Sequence, residues 1–513
     1  MSTLSNTLTP TTRWLIIIAV MSATLMQVLD TTIVNVALPH MQGNLSANSD
    51  EITWTLTSYL VASGIFTPLT GFFTDKFGRK KYLLMSIGGF TLASALCGAA
   101  TSLPQMIIFR LLQGMFGAAL VPLSQAILAD IFPKEELGKA MSLWGVGVMV
   151  GPILGPTLGG YLTEVASWRW TFYVNLPVGI ISFFLAWYIV PDSVKRKHVM
   201  DWPGFFLIAI AIGAMQYLFD RGNQEDWFNS NEICLAALLI VVGLVGFLIR
   251  NLLANNHSPV FDLRIFRDRN FSVASLLLAV FGLGLYGSMV ILPLFLENLL
   301  NYPVLTAGLV MAPRGISSMV SMLFVGKMIK RMDPRYMIGV GAILTAIGAY
   351  ACTFYSQNID PFWVVWPLVL QGFGLGMIFV PLSAVAFATL PEETRAEAAG
   401  LFSLMRTLGG SIGISIAITL YTRHTQIAWN YLSGFVNPYN SAVNNYLQPL
   451  HLSMQNNLAM AVLGKEIAKQ AGILATINVF AFIVCAFIIM LPLLLLFRYK
   501  ASKNDQADLP ISE

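Results

Sequence analysis

Asp30 is an acid placed inside an otherwise apolar run, Leu29-Asp30-Thr31-Thr32-Ile33-Val34-Asn35-Val36-Ala37-Leu38. A carboxylate at the centre of a membrane span costs about 2.5–3.5 kcal/mol on insertion scales, so it needs either a partner or a proton. In hydrocarbon the neutral acid is the cheaper form, which suits a group that takes up and releases a proton. Arg110, also inside an apolar run, is the natural partner. At ~1.5 Å per residue, Asp30 and Arg110 lie roughly 12 Å and roughly 8 Å from the external ends of their antiparallel runs, similar depths. Arginine keeps its proton, so it competes with a proton for the carboxylate. A static ion pair fixing two helices is the alternative. Gln113, in the same run as Arg110, joins the candidates. Three more charges interrupt apolar runs: Glu297, Arg314 after Pro313, and Arg406. Glu297 stands at the end of its run, where it either takes part in coupling or reaches back to water. Arg314 and Arg406 each suit an anion or an acid partner.

Two further patterns concern motion rather than proton chemistry. Gly71-Phe72-Phe73-Thr74-Asp75-Lys76-Phe77-Gly78-Arg79-Lys80-Lys81 joins two apolar runs. Gly71 and Gly78 permit tight turns, and Asp75 suits a helix N-terminus, where negative charge is favoured. With Arg79, such a contact on one side of a membrane latches one of two conformations; a solvated basic turn is the plainer reading. In the fifth run, Gly151, Gly155 and Gly159 recur every four residues and flank Pro152 and Pro156. Small residues at that spacing let helices approach closely, and prolines bend a helix. The stripe packs helices and is a candidate gate.

What is missing excludes other chemistry. The five histidines, His40, His198, His257, His424 and His451, form no cluster, and the four cysteines (Cys97, Cys234, Cys352, Cys485) sit inside apolar runs without metal-ligand spacing. No nucleophile–base set and no phosphate-binding Gly-Lys-Ser/Thr loop occurs. An enzyme, a metal site, a cofactor and ATP hydrolysis are therefore not expected.

The elements that position these residues are membrane helices. Residues are 56% hydrophobic and 11% charged. Runs of ~20 apolar residues can span a bilayer. Fourteen qualify: 14–38, 53–73, 82–101, 105–131, 140–162, 171–190, 202–219, 233–250, 271–297, 305–326, 336–355, 362–389, 399–422 and 473–497. The chain also repeats itself. Gln113-Gly114 and Val121-Pro122-Leu123-Ser124 return as Gln371-Gly372 and Val380-Pro381-Leu382-Ser383, 258 to 259 residues on. Internal duplication is a hallmark of secondary transporters. The organisation expected is a six-helix lobe (1–190), two extra membrane helices with a cytoplasmic linker (191–270), a second six-helix lobe (271–497) with an external loop at 423–472, and a tail (498–513); that loop reads as solvated or as a docking arm for a partner, and its second part, about 446–470, suits a surface helix. Of 30 Lys and Arg, 22 fall on one side of this arrangement, which by the positive-inside rule makes that side, with both termini, cytoplasmic.

These residues also carry a resemblance. Leu29 through Pro39 resembles the first-helix signature of the fourteen-helix drug:proton antiporters of the major facilitator superfamily. Gly71 through Lys81 resembles that superfamily's loop motif, with Asp75 as its acid and Arg79 as its arginine. Arg110-Leu111-Leu112-Gln113-Gly114 resembles its fourth-helix motif, and Gly147 through Gly160 its fifth-helix antiporter motif. Trp168-Arg169-Trp170-Thr171-Phe172-Tyr173-Val174-Asn175-Leu176-Pro177-Val178-Gly179 is similar to the EmrB/QacA branch, and Asp220-Arg221-Gly222 and Asn437-Pro438 to its EmrB-like members. The resemblance implies an all-α major facilitator fold and proton-driven export of lipophilic drugs from the bacterial inner membrane by alternating access. It implies a role for Arg110 in proton transfer. It also implies a periplasmic membrane-fusion adaptor (EmrA-like) and an outer-membrane channel (TolC-like). The second copy of the loop motif has Lys330 near the place of its acid, so the latch is expected in the first copy only. Relatives often carry Gln where Glu297 stands. Two other readings fit the same fold: an exporter of one metabolite or siderophore, and a receptor or scaffold that transports nothing.

Overall fold

A computed structural model describes residues 9–133, 136–192, 201–253, 263–329, 331–391 and 394–497. Lys195-Arg196-Lys197, Lys330, Pro259 with most of its connection, and the tail 498–513 lie outside them. The described residues form helices and turns, with no strand among them. In hydrocarbon every backbone N–H and C=O must find its partner inside the segment, and the helix does this for each apolar run. Fourteen helices are long and apolar enough to cross a membrane. They are α1 (Pro10–Asn44), α2 (Trp54–Phe77), α3 (Arg79–Ala99), α4 (Leu103–Ile131), α5 (Leu137–Val165), α6 (Trp170–Ile189), α7 (Trp202–Arg221), α8 (Asn231–Leu253), α9 (Arg269–Leu299), α10 (Val304–Met328), α11 (Pro334–Cys352), α12 (Pro361–Ala388), α13 (Arg395–Ser433) and α14 (Asn457–Leu493). Large apolar side chains such as Leu154, Phe184, Tyr188 and Leu239 stay exposed on the outer surface, as lipid-facing positions do.

Helices α1 to α6 pack on one another, with α1 against α5 and α6, and α2 and α3 both against α4. Helices α9 to α14 form a second bundle in which α9 lies on α13, and α10 and α11 on α12. The bundles meet where α5 runs against α10 and where α13 covers α2 and α4. Ser142 of α5 donates to the Met322 carbonyl of α10 at 2.6 Å, and the Trp144 and Phe379 rings stack at 5.4 Å. The extra pair α7 and α8 leans on the first bundle. Thr57 of α2 donates to Asp220 of α7, and Arg221 lies over the Trp54 ring at 4.8 Å. At the other end, Arg250 of α8 reaches Asp201, which caps α7, at 2.6 Å. Ser411 of α13 donates to Gln216 of α7 at 2.7 Å, so α7 also touches the second bundle.

Two expectations change shape. Residues 71–81 do not form a loop: α2 stays helical through Phe77 and α3 begins at Arg79. Gly78, at φ 85°, is the whole turn, a conformation that favours glycine. Residues 423–472 are not one solvated loop either. Helix α13 continues to Ser433 and α14 begins at Asn457, with a short helix, Ser441–Leu447, between them. Val443, Leu447, Ala459 and Leu463 form a small separate core there. Hydropathy marks these extensions as loop because their outer faces are polar, yet their residues suit a helix in water.

The glycine stripe of α5 faces α1. A methyl group on Gly151 would meet Val28 Cγ1 at 2.7 Å and the Leu29 nitrogen at 2.9 Å; on Gly159 it would meet the Ile33 carbonyl at 2.8 Å. Gly155 fits against Thr32. The stripe therefore sets the height of α1 beside Asp30. Gly151→Leu is expected to destabilise the protein by about 1–3 kcal/mol, the usual effect of overpacking, whereas Leu154→Ala on the exposed face changes little. Thermal unfolding of both variants in detergent checks this; equal melting temperatures would contradict it.

Candidate transport site

Asp30 is fully buried, and so is the set of side chains around it. Arg110 Nη1 donates to Asp30 Oδ2 at 2.6 Å. Gln113 Nε2 and Asn175 Nδ2 donate to Oδ1 at 2.8 and 3.0 Å. Arg110 is held in turn: Nε donates to the Thr55 carbonyl at 2.9 Å, Nη1 also to Gln113 Oε1 at 2.7 Å, and the guanidinium lies 4.3 Å from the Tyr59 ring centre. Asn175 also donates to Ser94, which donates to the Phe172 carbonyl. Five helices thus converge on one carboxylate: α1 supplies it, and α2, α3, α4 and α6 supply its donors or their supports. An ionised carboxylate only accepts hydrogen bonds, and three donors satisfy it here. In this conformation it is closed to water.

The sequence singled out Asp30, Arg110 and Gln113. Asn175 and Ser94 went unnoticed, although Asn175 lies in the quoted stretch from Trp168. A single amide at the start of an apolar run reads as a helix terminus, and its partner is 145 positions away.

A second charge cluster lies at the end of the bundles where the basic connections gather. Arg79 of α3 pairs with Asp130 at the end of α4, and Arg395 of α13 reaches the same carboxylate at 3.1 Å. Arg395 also approaches the Ala129 carbonyl at 3.3 Å. One acid of the first bundle therefore holds a cation from each bundle. Nearby, Gly71 is pressed against Glu397 of α13, where a methyl group would come within 2.7 Å of its Cβ. So Gly71, Gly78 and Arg79 lie at a junction between bundles, with Asp75 on the same turn of α2. Asp130 and Arg395 were missed: each stands beside a Pro-and-acid connection and looks like part of it.

The remaining candidates separate. Pro152 and Pro156 face away from α1 and line a cavity between the bundles, with Ile153 and Met149 on the same wall and Leu285, Met289, Met311, Arg314 and Leu375 opposite. Of the fifth-helix pattern, then, the glycines pack α1 and the prolines border the cavity. Arg314 is buried in that wall, and its Nη2 donates to Ser288 Oγ at 2.7 Å. Arg406 is buried on α13. Glu297 sits half-buried in a π-helical segment, Leu294–Leu299, that closes α9. Among the described residues none of Glu297, Arg314 and Arg406 forms a salt bridge. No group of His, Cys, Asp and Glu among the described residues is arranged to hold a metal ion.

Two six-helix bundles with an extra helix pair leaning on the first can be set beside known families. The sequence profile of the Major Facilitator Superfamily matches residues 20–414. The chain belongs to that superfamily. It is 34% identical over 473 residues to the multidrug export protein EmrB of Haemophilus influenzae, covering 91% of this chain and 92% of that one. It is 34% identical over 481 residues to EmrB of Escherichia coli strain K12, covering 93% of each. The solved structure of the proton:xylose symporter XylE matches with a TM-score of 0.59 at 15% identity, over 93% of this chain and 97% of that one. At that identity it supports the fold alone.

The buried pair gives a direct expectation for this facilitator. Arg110→Met leaves the Asp30 carboxylate without its cation, a change that costs about 3–5 kcal/mol at buried sites. Asp30→Asn combined with Arg110→Met is expected to recover most of that loss. Thermal unfolding of wild type, single and double variants checks it; a single variant as stable as wild type would contradict it.

Proposed function

We propose that this protein is a proton-driven multidrug exporter: a drug:proton antiporter moving lipophilic toxic compounds out across the bacterial inner membrane by alternating access. The observation that carries this is the fully buried Asp30–Arg110 pair with its Gln113 and Asn175 donors, in a chain related over nine-tenths of its length to multidrug export proteins. The basic connections set the charge junction on the cytoplasmic side, with both termini there. The lobes 1–190 and 271–497 rock against each other, and the helices of 191–270 brace the first. The transport needs no cofactor and no enzyme chemistry.

The coupling works through competition for one carboxylate. A proton on Asp30 cancels the charge that holds Arg110, and α1 loses its ionic tie to α4, keeping only the neutral hydrogen bond from Gln113. The first bundle then repacks, and the Arg79–Asp130–Arg395 junction opens or closes with it. Moving a two-state equilibrium from 1:99 to 99:1 takes about 5.5 kcal/mol. Breaking a buried ion pair is worth about 3–5 kcal/mol, so one pair supplies a bias of the right order and differential drug binding the rest. Arg110 and Gln113 hold the exchange in place; Gly151, Gly155 and Gly159 fix the height of α1, and Gly71, Asp75, Gly78 and Arg79 form the latch. The small core around Val443 and Leu463 stands at the periplasmic end, where a membrane-fusion adaptor of the EmrA kind, leading to a TolC-like channel, would dock.

Reconstitution tests the coupling. In proteoliposomes with an imposed pH gradient, wild type is expected to drive efflux of a lipophilic fluorescent dye. Asp30→Asn is expected to lose gradient-driven efflux by about 5–150-fold, the span that coupling energies of 1–3 kcal/mol give, while still binding dye. Efflux by Asp30→Asn that matches wild type and still collapses with the gradient removes Asp30 from the mechanism.

A further inference from the structure

The two halves of the chain differ where the first keeps its acid. A shift of 258 residues, which carries Gln113 onto Gln371, carries Asp30 onto Ser288. An arginine comes to both places. In the first bundle it is Arg110 on Asp30; in the second it is Arg314, whose Nη2 donates to Ser288 Oγ at 2.7 Å. A neutral hydroxyl stands where the first bundle has its carboxylate, and the arginine that reaches it comes from α10, since the position matching Arg110 is Leu368.

Among the described residues that charge is not matched. Arg314 is 7% exposed, its Nη1 has no hydrogen-bond partner, and no salt bridge reaches it among the described residues. Its polar neighbours are neutral: Cys352, which accepts from Gln371 at 3.2 Å, and Tyr355, which donates to the Val364 carbonyl at 3.0 Å. Arginine cannot shed its proton to escape the penalty, and an uncompensated buried cation is destabilising. Arg406, also buried in the second bundle and without a salt bridge, adds charge of the same sign. The second bundle therefore carries a standing positive potential in its core.

Arg314 also lines the cavity between the bundles. The rest of the wall is apolar and adaptable, with Met149, Met289 and Met311 beside Ile153, Leu285 and Leu375. Methionine side chains rearrange to fit varied apolar shapes. The cavity holds about 60 Å³ here, against the 300–1,000 Å³ typical of sites for drug-sized ligands. A bulky ligand thus enters only as the bundles part.

We propose that Arg314 is the anion-binding group of the transport cavity, and that the exporter takes lipophilic organic anions, a carboxylate or phenolate on an apolar body. The acid group meets Arg314 Nη1 and the apolar body lies against the methionines. This rests on the export reading above and names its substrate class. It has an electrical consequence. A proton entering as an anion leaves moves two charges in the same electrical sense, so an inside-negative potential speeds export of an anion. One-for-one exchange of a proton with a monovalent cation moves no net charge.

The test uses the full-length protein and three matched probes: pyrenebutyrate, its methyl ester and pyrenebutylamine, with laurate as a competitor that separates aromatic from alkyl acids. Wild type is expected to bind the acid better than the ester, by about tenfold or more, the scale of a hydrogen bond to a charged group. Arg314→Met is expected to lose that preference while keeping ester binding, which also shows that it is folded, and Arg314→Lys to keep part of it. Displacement of pyrenebutyrate by laurate extends the site to alkyl acids; failure to displace confines it to aromatic ones, and either outcome supports the anion site provided the acid preference is lost in Arg314→Met. In proteoliposomes, an inside-negative potential is expected to accelerate pyrenebutyrate export by wild type and not pyrenebutylamine export. Equal binding of acid and ester by wild type, or an acid preference that survives in Arg314→Met, overturns the proposal. If wild type moves the amine on a pH gradient while Arg314→Met exports the acid as well as wild type does, the anion site falls and the export reading stands. If wild type moves no probe, both fall.

Discussion

An ionised group in hydrocarbon must be answered by another group, and this requirement organises the first bundle. Asp30 is answered by Arg110, Gln113 and Asn175, and those donors are held by Thr55, Tyr59 and Ser94. Five helices are positioned by that single need. The glycine stripe of α5 belongs to the same arrangement, because the close approach to α1 fixes where the carboxylate sits. The carboxylate itself is satisfied by three donors. In the coupling proposed above, exchanging its cation for a proton turns a local protonation into a motion of the bundle.

The second bundle answers its charge differently. Its counterpart to Asp30 is Ser288, and Arg314 keeps an open donor beside the cavity. The two halves are similar scaffolds that differ in this carboxylate. One half settles its buried charge internally, and the proton switch proposed above acts there. In the other, Arg314 has no internal acid among the described residues, and the anion site proposed above rests on that. The bundles meet at the Asp130 carboxylate, which holds Arg79 and Arg395 together, and along α5 and α10.

Much of this was legible in the residues and some was not, for physical reasons. Every spanning helix announces itself because hydrocarbon demands a long apolar run, so all fourteen could be read. Asp30 and Arg110 stand out because a charge in such a run is expensive, and similar depth points to their pairing. Asn175 carries no charge and Asp130 lies at a helix end, where acids are cheap; neither is marked by cost, and their partners are 145 and 265 positions away in sequence. The turn at Gly78 was legible as glycine, but not that one residue suffices. The helical extension beyond 422 was read as loop because hydropathy reports the solvent, not the backbone, whereas a surface helix within about 446–470 was among the readings and α14 does begin at Asn457. Arg314 was legible as a buried cation; that its acid is absent required seeing Ser288 against it.

The central claim is that the Asp30 carboxyl exchanges Arg110 for a proton as the bundles rearrange. Difference infrared spectroscopy on the purified protein, titrated across neutral pH with and without a bound lipophilic substrate, reads that carboxyl directly. The exchange requires a carbonyl band of a protonated carboxylic acid that grows on acidification, shifts when substrate binds and is missing in Asp30→Asn. A carboxylate that stays ionised throughout, with identical difference spectra in wild type and Asp30→Asn, would contradict it.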